Sequence, residues 1–304
     1  MGSISQAKVG LVTGGASGMG LDVVENLVSK GWNIAIADFD VTLGESVASR
    51  LGSQVLFVKT NVVNYDEQVT AFAATYKKWG RINFVFANAG IGGKGDFYAQ
   101  EEEVEGTGGP PKPNTLVMDV CATGVIYSSY LALHFFRKNK EGGGYLVMTA
   151  SAAGLYPSGQ IPLYGMAKHG VVGLARSMAQ HLKSANEPIS VNCVCPGVVP
   201  TRLMPQAWLD AMPSDMITPT STVVKAIDGF LADQSITGQA AECSGQEVIY
   251  RDPPPPGNDV AAFMLGGTWA TKMDIKSLMD HTKVRNAYYD KMEEDLVQSG
   301  TYGH

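Results

Sequence analysis

The sequence predicts an α/β chain built on a doubly wound parallel sheet, and three observations carry that expectation. Within about the first 200 residues, six short apolar runs rich in β-branched residues recur, each of strand length. The segments between them are long enough for crossover helices, the alternation of a parallel sheet covered on both faces. The chain has 304 residues, 45% of them hydrophobic and 17% charged, which is enough apolar material for one large core, and it shows no repeat at solenoid spacing.

Taken in order, "KVGLVT" at 8–13 is the first strand, and "LDVVENLVSKG" is the first crossover helix. Val24, Leu27 and Val28 share one face of it, and Gly31 follows as a stop. "NIAIAD", "VLFVK", "INFVFA", "YLVMT" and "ISVNCV" supply the other five runs. Residues 92–113, "GGKGDFYAQEEEVEGTGGPPKP", are rich in Gly, Pro and Glu and read as a long surface loop. The stretch "MDVCATGVIY" opens an apolar helix spanning about 114–138, and a second long helix spans about 161–185. A domain at 1–251 is expected to hold all of this. Residues 252–304 begin with "DPPPPG" and continue as a helical extension expected to pack on the core or on a neighbouring subunit. Ile275, Leu278 and Met279, then Tyr288 and Met292, carry the spacing of docking faces.

A net charge of -6 and a pI near 5.4 argue against nucleic acid or anionic lipid as partners, since both need clustered Lys and Arg. Small neutral, apolar molecules are the expected ligands. Cys121, Cys193, Cys195 and Cys243 lack zinc spacing and the density of a disulfide framework, so no metal and a reducing compartment are expected. His134 and His181 have no metal-spaced partners. No uninterrupted apolar run reaches the roughly 18 residues of a membrane span, and "MGSISQAK" lacks the blocks of a signal peptide and, with Gln6, the pattern of a myristoylation site. A cytoplasmic location is the expectation.

"LVTGGASGMG" places Gly14, Gly18 and Gly20 between the first strand and the first helix. Glycine there lets the backbone approach a pyrophosphate, whose charge meets the N–H groups and positive end of the helix. A glycine-rich turn can also be a mere connector, but its position and Asp38 at the end of the second strand favour a dinucleotide. A carboxylate at Asp38 binds ribose hydroxyls and repels a 2′-phosphate, and "GGASG" has no Arg or Lys, so NAD is the expected cofactor. Asp40 reads as a helix cap.

Tyr164 and Lys168 lie one helical turn apart, and Ser151 follows the fifth strand. A phenol is a poor base near neutrality, but an adjacent ammonium and a positive nicotinamide favour phenolate, and a shift of about 3 units needs only ~4 kcal/mol. Tyr164 could then exchange a proton with a substrate hydroxyl while hydride moves to the cofactor.

With "TGGASGMG", "ANAG" at 87–90, Ser151, "YGMAK" at 164–168 and "PGVVPT" at 196–201, the chain resembles the short-chain dehydrogenase/reductase family over about residues 8–250. "IADFD" and "YSSYLALHFF" are most similar to the NAD-dependent branch that includes hydroxyprostaglandin dehydrogenase. The resemblance implies a Rossmann-type sheet of about seven strands, the seventh being "EVIY", and catalysis by Ser151, Tyr164 and Lys168. It implies NAD bound along Gly14, Ser17, Gly18, Met19 and Gly20, with Asp38, Asn61 and Val62 on the adenosine side. Asn88, Ala89 and Gly90, against the adenosine side, then Pro196, Gly197, Val199 and Thr201, the last to hold the nicotinamide carboxamide, complete that implied set together with Tyr164 and Lys168. Residues 201–217 fall where family members keep a substrate lid, and a homodimer or homotetramer on the two long helices is implied.

Three positions depart from the family pattern: Ala87 for Asn, Asn61 for Asp, and Cys121 for the asparagine of the catalytic tetrad. That asparagine acts through its main-chain carbonyl, which any residue has. Cys121 is therefore expected to be small apolar filler that lacks the amide steadying the helix, rather than a nucleophile. The expected function is NAD-dependent interconversion of a secondary alcohol and a ketone on an apolar, medium-sized substrate, with oxidation the expected direction. The alternatives are a biosynthetic reductase or isomerase/cyclase on the same scaffold and a low-turnover NAD-binding regulatory protein.

Overall fold

The computed structural model describes residues 7–265 and 275–298. By its contacts the chain divides into two compact units, Met1–Asp252 and Pro253–His304. The first unit holds an eight-stranded sheet in the order β3-β2-β1-β4-β5-β6-β7-β8. Its strands are β1 Val9–Thr13, β2 Asn33–Asp38, β3 Val55–Lys59, β4 Phe84–Ala87, β5 Gly144–Thr149, β6 Ile189–Pro196, β7 Ala240–Ser244 and β8 Glu247–Arg251. The six runs read from the sequence are β1 to β6. The implied seventh strand "EVIY" is instead β8, which returns antiparallel to β7 through a turn at Gly245 with φ of 54°. The seventh parallel strand is "AAECS", whose alanines and central Glu242 carry little β-strand character of their own.

On one face lie α3 (Tyr65–Trp79), α4 (Leu116–Arg137) and α5 (Pro162–Ser184). Phe72, Phe136, Leu146, Met148 and Val191 are fully enclosed beneath them. On the other face lie α1 (Gly18–Ser29), α2 (Val41–Leu51) and α7 (Thr220–Ala232), over Val24, Ile34, Ile36, Phe86 and Phe230. Each such side chain contributes about 1.5–3 kcal/mol relative to exposure. The short helix α6, Gln206–Ala211, lies in the segment 201–217, where the resemblance implies a lid.

The strand order reverses at β1 and β4, where Thr13 is in register with both Ala37 and Ala87. The carboxyl ends of these strands leave the crevice that open α/β sheets use for ligands. Two segments converge there. Residues 88–115 hold no strand or α-helix, as expected for the long loop, and α4 contains a π-helical turn at Asp119–Thr123.

By length and composition α4 is apolar enough to cross a membrane, although Asp119, Ser128 and Ser129 break its apolar run. Here it packs on the sheet through Val125, Leu131, Ala132 and Phe136.

The second unit contains α8, Asp259–Leu265, and α9, Ile275–Gln298. In α9, Tyr288 and Met292 are exposed, while the side chains of Ile275, Leu278 and Met279 lie outside the described residues.

Candidate functional site

The glycine turn is built for close approach. Gly14 and Gly18 have φ of 65° and 53°, and a Cβ on Gly20 would stand 2.1 Å from the Gly14 carbonyl oxygen. Ser17 precedes α1 in an extended conformation without a side-chain cap, and the first turn holds no acid. The orphan N–H groups of α1 are thus left for an anion. Asp38 closes the other rim: its carboxylate accepts from the Ala16 N–H at 2.9 Å and from the Asp40 N–H at 3.0 Å. These residues fit a bound dinucleotide, with backbone donors for phosphate and a carboxylate for ribose hydroxyls. Asp40 caps α2 through the Leu43 N–H at 3.0 Å.

Asn88 ties this turn to the neighbouring strands. Its amide donates to the carbonyls of Thr13 and Gly14 at 3.1 and 3.2 Å, and its oxygen accepts from the Thr149 hydroxyl at 3.1 Å. Ala89 packs against Gly14, and the Asn88 and Ala89 N–H groups both donate to the Thr13 hydroxyl. Asn61 donates its N–H to Glu67 at 2.8 Å, and the neighbouring Val62 is buried against Gly124. Pro196 ends β6, Gly197 donates to the Cys243 carbonyl at 3.0 Å, and Val199 is buried. Thr201 rests on Gly18, and Met19 packs under the helix.

Ser151, Tyr164 and Lys168 gather at the adjacent strand ends. Ser151 begins the turn after β5, accepts from the Ala153 N–H at 3.1 Å and lies beside the Tyr164 phenol. Lys168, almost fully buried, donates to the Thr149 carbonyl at 2.7 Å and stands 5.5 Å from the Tyr164 ring centre. Burial holds the Lys168 ammonium below its ordinary value. Burial also pushes the Tyr164 phenol up, and the nearby Ser151 hydroxyl pulls it partway back. The expected lowering by the lysine is therefore not met in the free chain, because desolvation of the phenol dominates.

Cys121 lies in the π-helical turn, fully buried beside Val117, Ala167 and Tyr164. Its thiol is 3.4 Å from both the Ile91 N–H, which donates to it, and the Ile91 carbonyl, which accepts from it. Cys121 has no amide, as expected, and its sulfur instead meets both backbone polar groups of Ile91. The sulfur offers one weak acceptor and one weak donor, and both tie the turn to the segment after β4. A Cβ built on Gly90 would meet the Cys121 sulfur at 3.5 Å and the Lys168 nitrogen at 3.7 Å, so the three groups share one corner.

The sequence did not reveal the roles of Thr13, Thr149 and Ile91, because their contacts join distant segments. It also missed a cation near the glycine turn: the Arg202 guanidinium stands 3.6 Å from Asp40. Cys193 and Cys195 are core, and His169 bonds the Gly165 carbonyl one turn back.

Residues 8–211 match the family described as short chain dehydrogenase. The short-chain dehydrogenase/reductase prx6 of Penicillium rubens is 35% identical over 269 residues, 85% of this chain and 90% of that one. Human 15-hydroxyprostaglandin dehydrogenase (NAD+) is 30% identical over 203 residues, 65% of this chain and 70% of that one. The crystal structure of a 3-ketoacyl-(acyl-carrier-protein) reductase from Brucella melitensis, complexed with NADH, superimposes with a TM-score of 0.67. It is 25% identical and covers 79% of this chain and 98% of that one. Family match and sheet topology agree: the chain belongs to the short-chain dehydrogenase/reductase family of nicotinamide-dependent oxidoreductases.

Proposed function

We propose that the chain is an NAD-dependent dehydrogenase that interconverts a secondary alcohol and its ketone on an apolar, medium-sized substrate. The observation that carries this reading is the grouping of Ser151, Tyr164 and Lys168 beside the glycine turn, joined to it through Thr149 and Asn88. When bound, the oxidised nicotinamide accepts hydride and brings positive charge to the site. Tyr164 takes the substrate hydroxyl proton at its phenol oxygen, Ser151 aligns that oxygen, and Lys168 favours the phenolate electrostatically. Exposed Leu203, Trp208 and Met216 in the lid support an apolar substrate. The reading is tested by assaying the purified chain with NAD+ against a panel of secondary alcohols; turnover with none of them, nor of the ketones with NADH, would count against it.

Asp38 supports NAD over NADP, as does the cofactor in the human relative's name. NADH is expected to bind at least tenfold more tightly than NADPH, with Asp38→Ala narrowing the gap. Equal affinities in a fluorescence titration of the unmodified chain would reject this cofactor assignment.

Cys121→Asn is expected to keep kcat within about threefold or raise it, because an amide offers Ile91 a stronger donor and acceptor in place of the weak thiol ones. A nucleophilic role would instead make this variant as inactive as one lacking the phenol. The four buried free cysteines support a reducing, cytoplasmic setting.

Ile126 and Tyr130 on α4 and Met166 on α5 are 51%, 66% and 64% exposed, which supports a homodimer or homotetramer built on these helices. Light scattering at micromolar concentration is expected to read one of these; a monomer would overturn that assembly.

A further inference from the structure

Resting on the dinucleotide reading above, we propose that Arg202 is a clamp carried by the lid, which leaves Asp40 and closes on the pyrophosphate of the bound dinucleotide. A cavity of about 690 Å³ opens between the glycine turn and the lid, with Ser17, Gly18, Leu43, Arg202 and Gln206 among its walls. Arg202 is the one cation among the described residues that line it. Its place is fixed by its neighbour: a Cβ on Gly18 would come within 3.0 Å of the Thr201 methyl, so the lid starts directly on the first turn of α1.

The charge balance calls for such a group. A pyrophosphate carries two negative charges, while the end of α1 offers roughly half a positive charge and backbone donors. No acid or cap competes in that first turn. A guanidinium matches phosphate oxygens two at a time, which an ammonium does not.

Exchange is easy because the present partner is weak and is not left bare. Arg202 and Asp40 are 70% and 43% exposed and 3.6 Å apart, a geometry in which an ion pair contributes little. Arg202 faces the Asp40 Oδ2 oxygen, whereas the Leu43 N–H bonds Oδ1, so the cap of α2 survives when Arg202 departs.

The test is NADH affinity of the full chain, measured by fluorescence titration over a range of salt concentrations. Arg202→Gln is expected to weaken NADH binding about tenfold and to flatten its salt dependence, with Arg202→Lys in between. Asp40→Asn keeps a good cap and frees the arginine, so it tightens NADH binding about two- to threefold, but has no effect in the Arg202→Gln background. If Arg202→Gln matches the unmodified chain in affinity and salt slope, the clamp is wrong and the dinucleotide reading stands. If the unmodified chain binds neither NADH nor NADPH, the dinucleotide reading itself falls.

Discussion

Tyr164→Phe is expected to lower kcat by roughly 10² to 10⁴ while leaving NADH affinity within about twofold. The substitution removes one hydroxyl and keeps the ring that packs beside Val117, Cys121 and Ala167, so folding and cofactor binding have no cause to change. What disappears is the group proposed above to move a proton. Burial raises the phenol above its ordinary value in the free chain, so near neutrality Tyr164 holds its proton until a positive charge arrives. Alcohol oxidation should accordingly accelerate as pH rises, and the phenolate absorbance assigned by subtracting the variant should appear at lower pH once NAD+ is added. Retention of more than a tenth of the native kcat on an accepted alcohol would show that another group moves the proton.

Gly20→Ala should have the second largest effect. The new methyl would sit 2.1 Å from the Gly14 carbonyl oxygen and 2.7 Å from the Asn88 amide nitrogen, neither of which is the end of a flexible chain. Relief requires the turn to open, which breaks the Asn88 bonds to Thr13 and Gly14 and displaces the donors meant for phosphate. Overpacking and the lost bonds together cost about 2–4 kcal/mol, or a Tm lower by roughly 5–15 °C. NADH affinity should fall more than tenfold. Gly31→Ala is the control: its φ is 81° but no atom lies within 4 Å, so it should cost ~1 kcal/mol and leave NADH affinity intact. Equal NADH affinities in the two variants would refute the steric argument.

The elements legible in the sequence were those whose cause is local. Strands β1 to β6 announce themselves through contiguous Val, Ile and Phe, and the Tyr164 to Lys168 spacing is one helical turn wherever that helix lies. Asp40 as a cap likewise needs only its own α2. The misses have non-local causes. β7 is a strand because β6 and β8 flank it, not because Ala240, Ala241 and Glu242 prefer the conformation. The partner of Cys121 is 30 residues away in sequence, and Arg202 reaches Asp40 across more than half the chain. The phenol's shift is a property of how deeply Tyr164 is enclosed, which spacing alone does not encode.

The hydrogen-bonded path from Lys168 through Thr149 and Asn88 to Gly14 has a consequence for redesign. Cofactor preference is commonly treated as a modular trait, altered by exchanging a few residues around the adenosine while the reaction centre is left alone. In this chain the two regions share a frame only three side chains long. A loop grafted into 14–20 that shifts the Gly14 carbonyl would pull on Asn88 and, through Thr149, on the seat of the lysine, so a swapped specificity would come with a mistuned proton transfer. Asp38 holds the Ala16 N–H of that same turn, so changes in the lid beyond Thr201, which touch none of these bonds, are the safer sites for altering which dinucleotide is accepted.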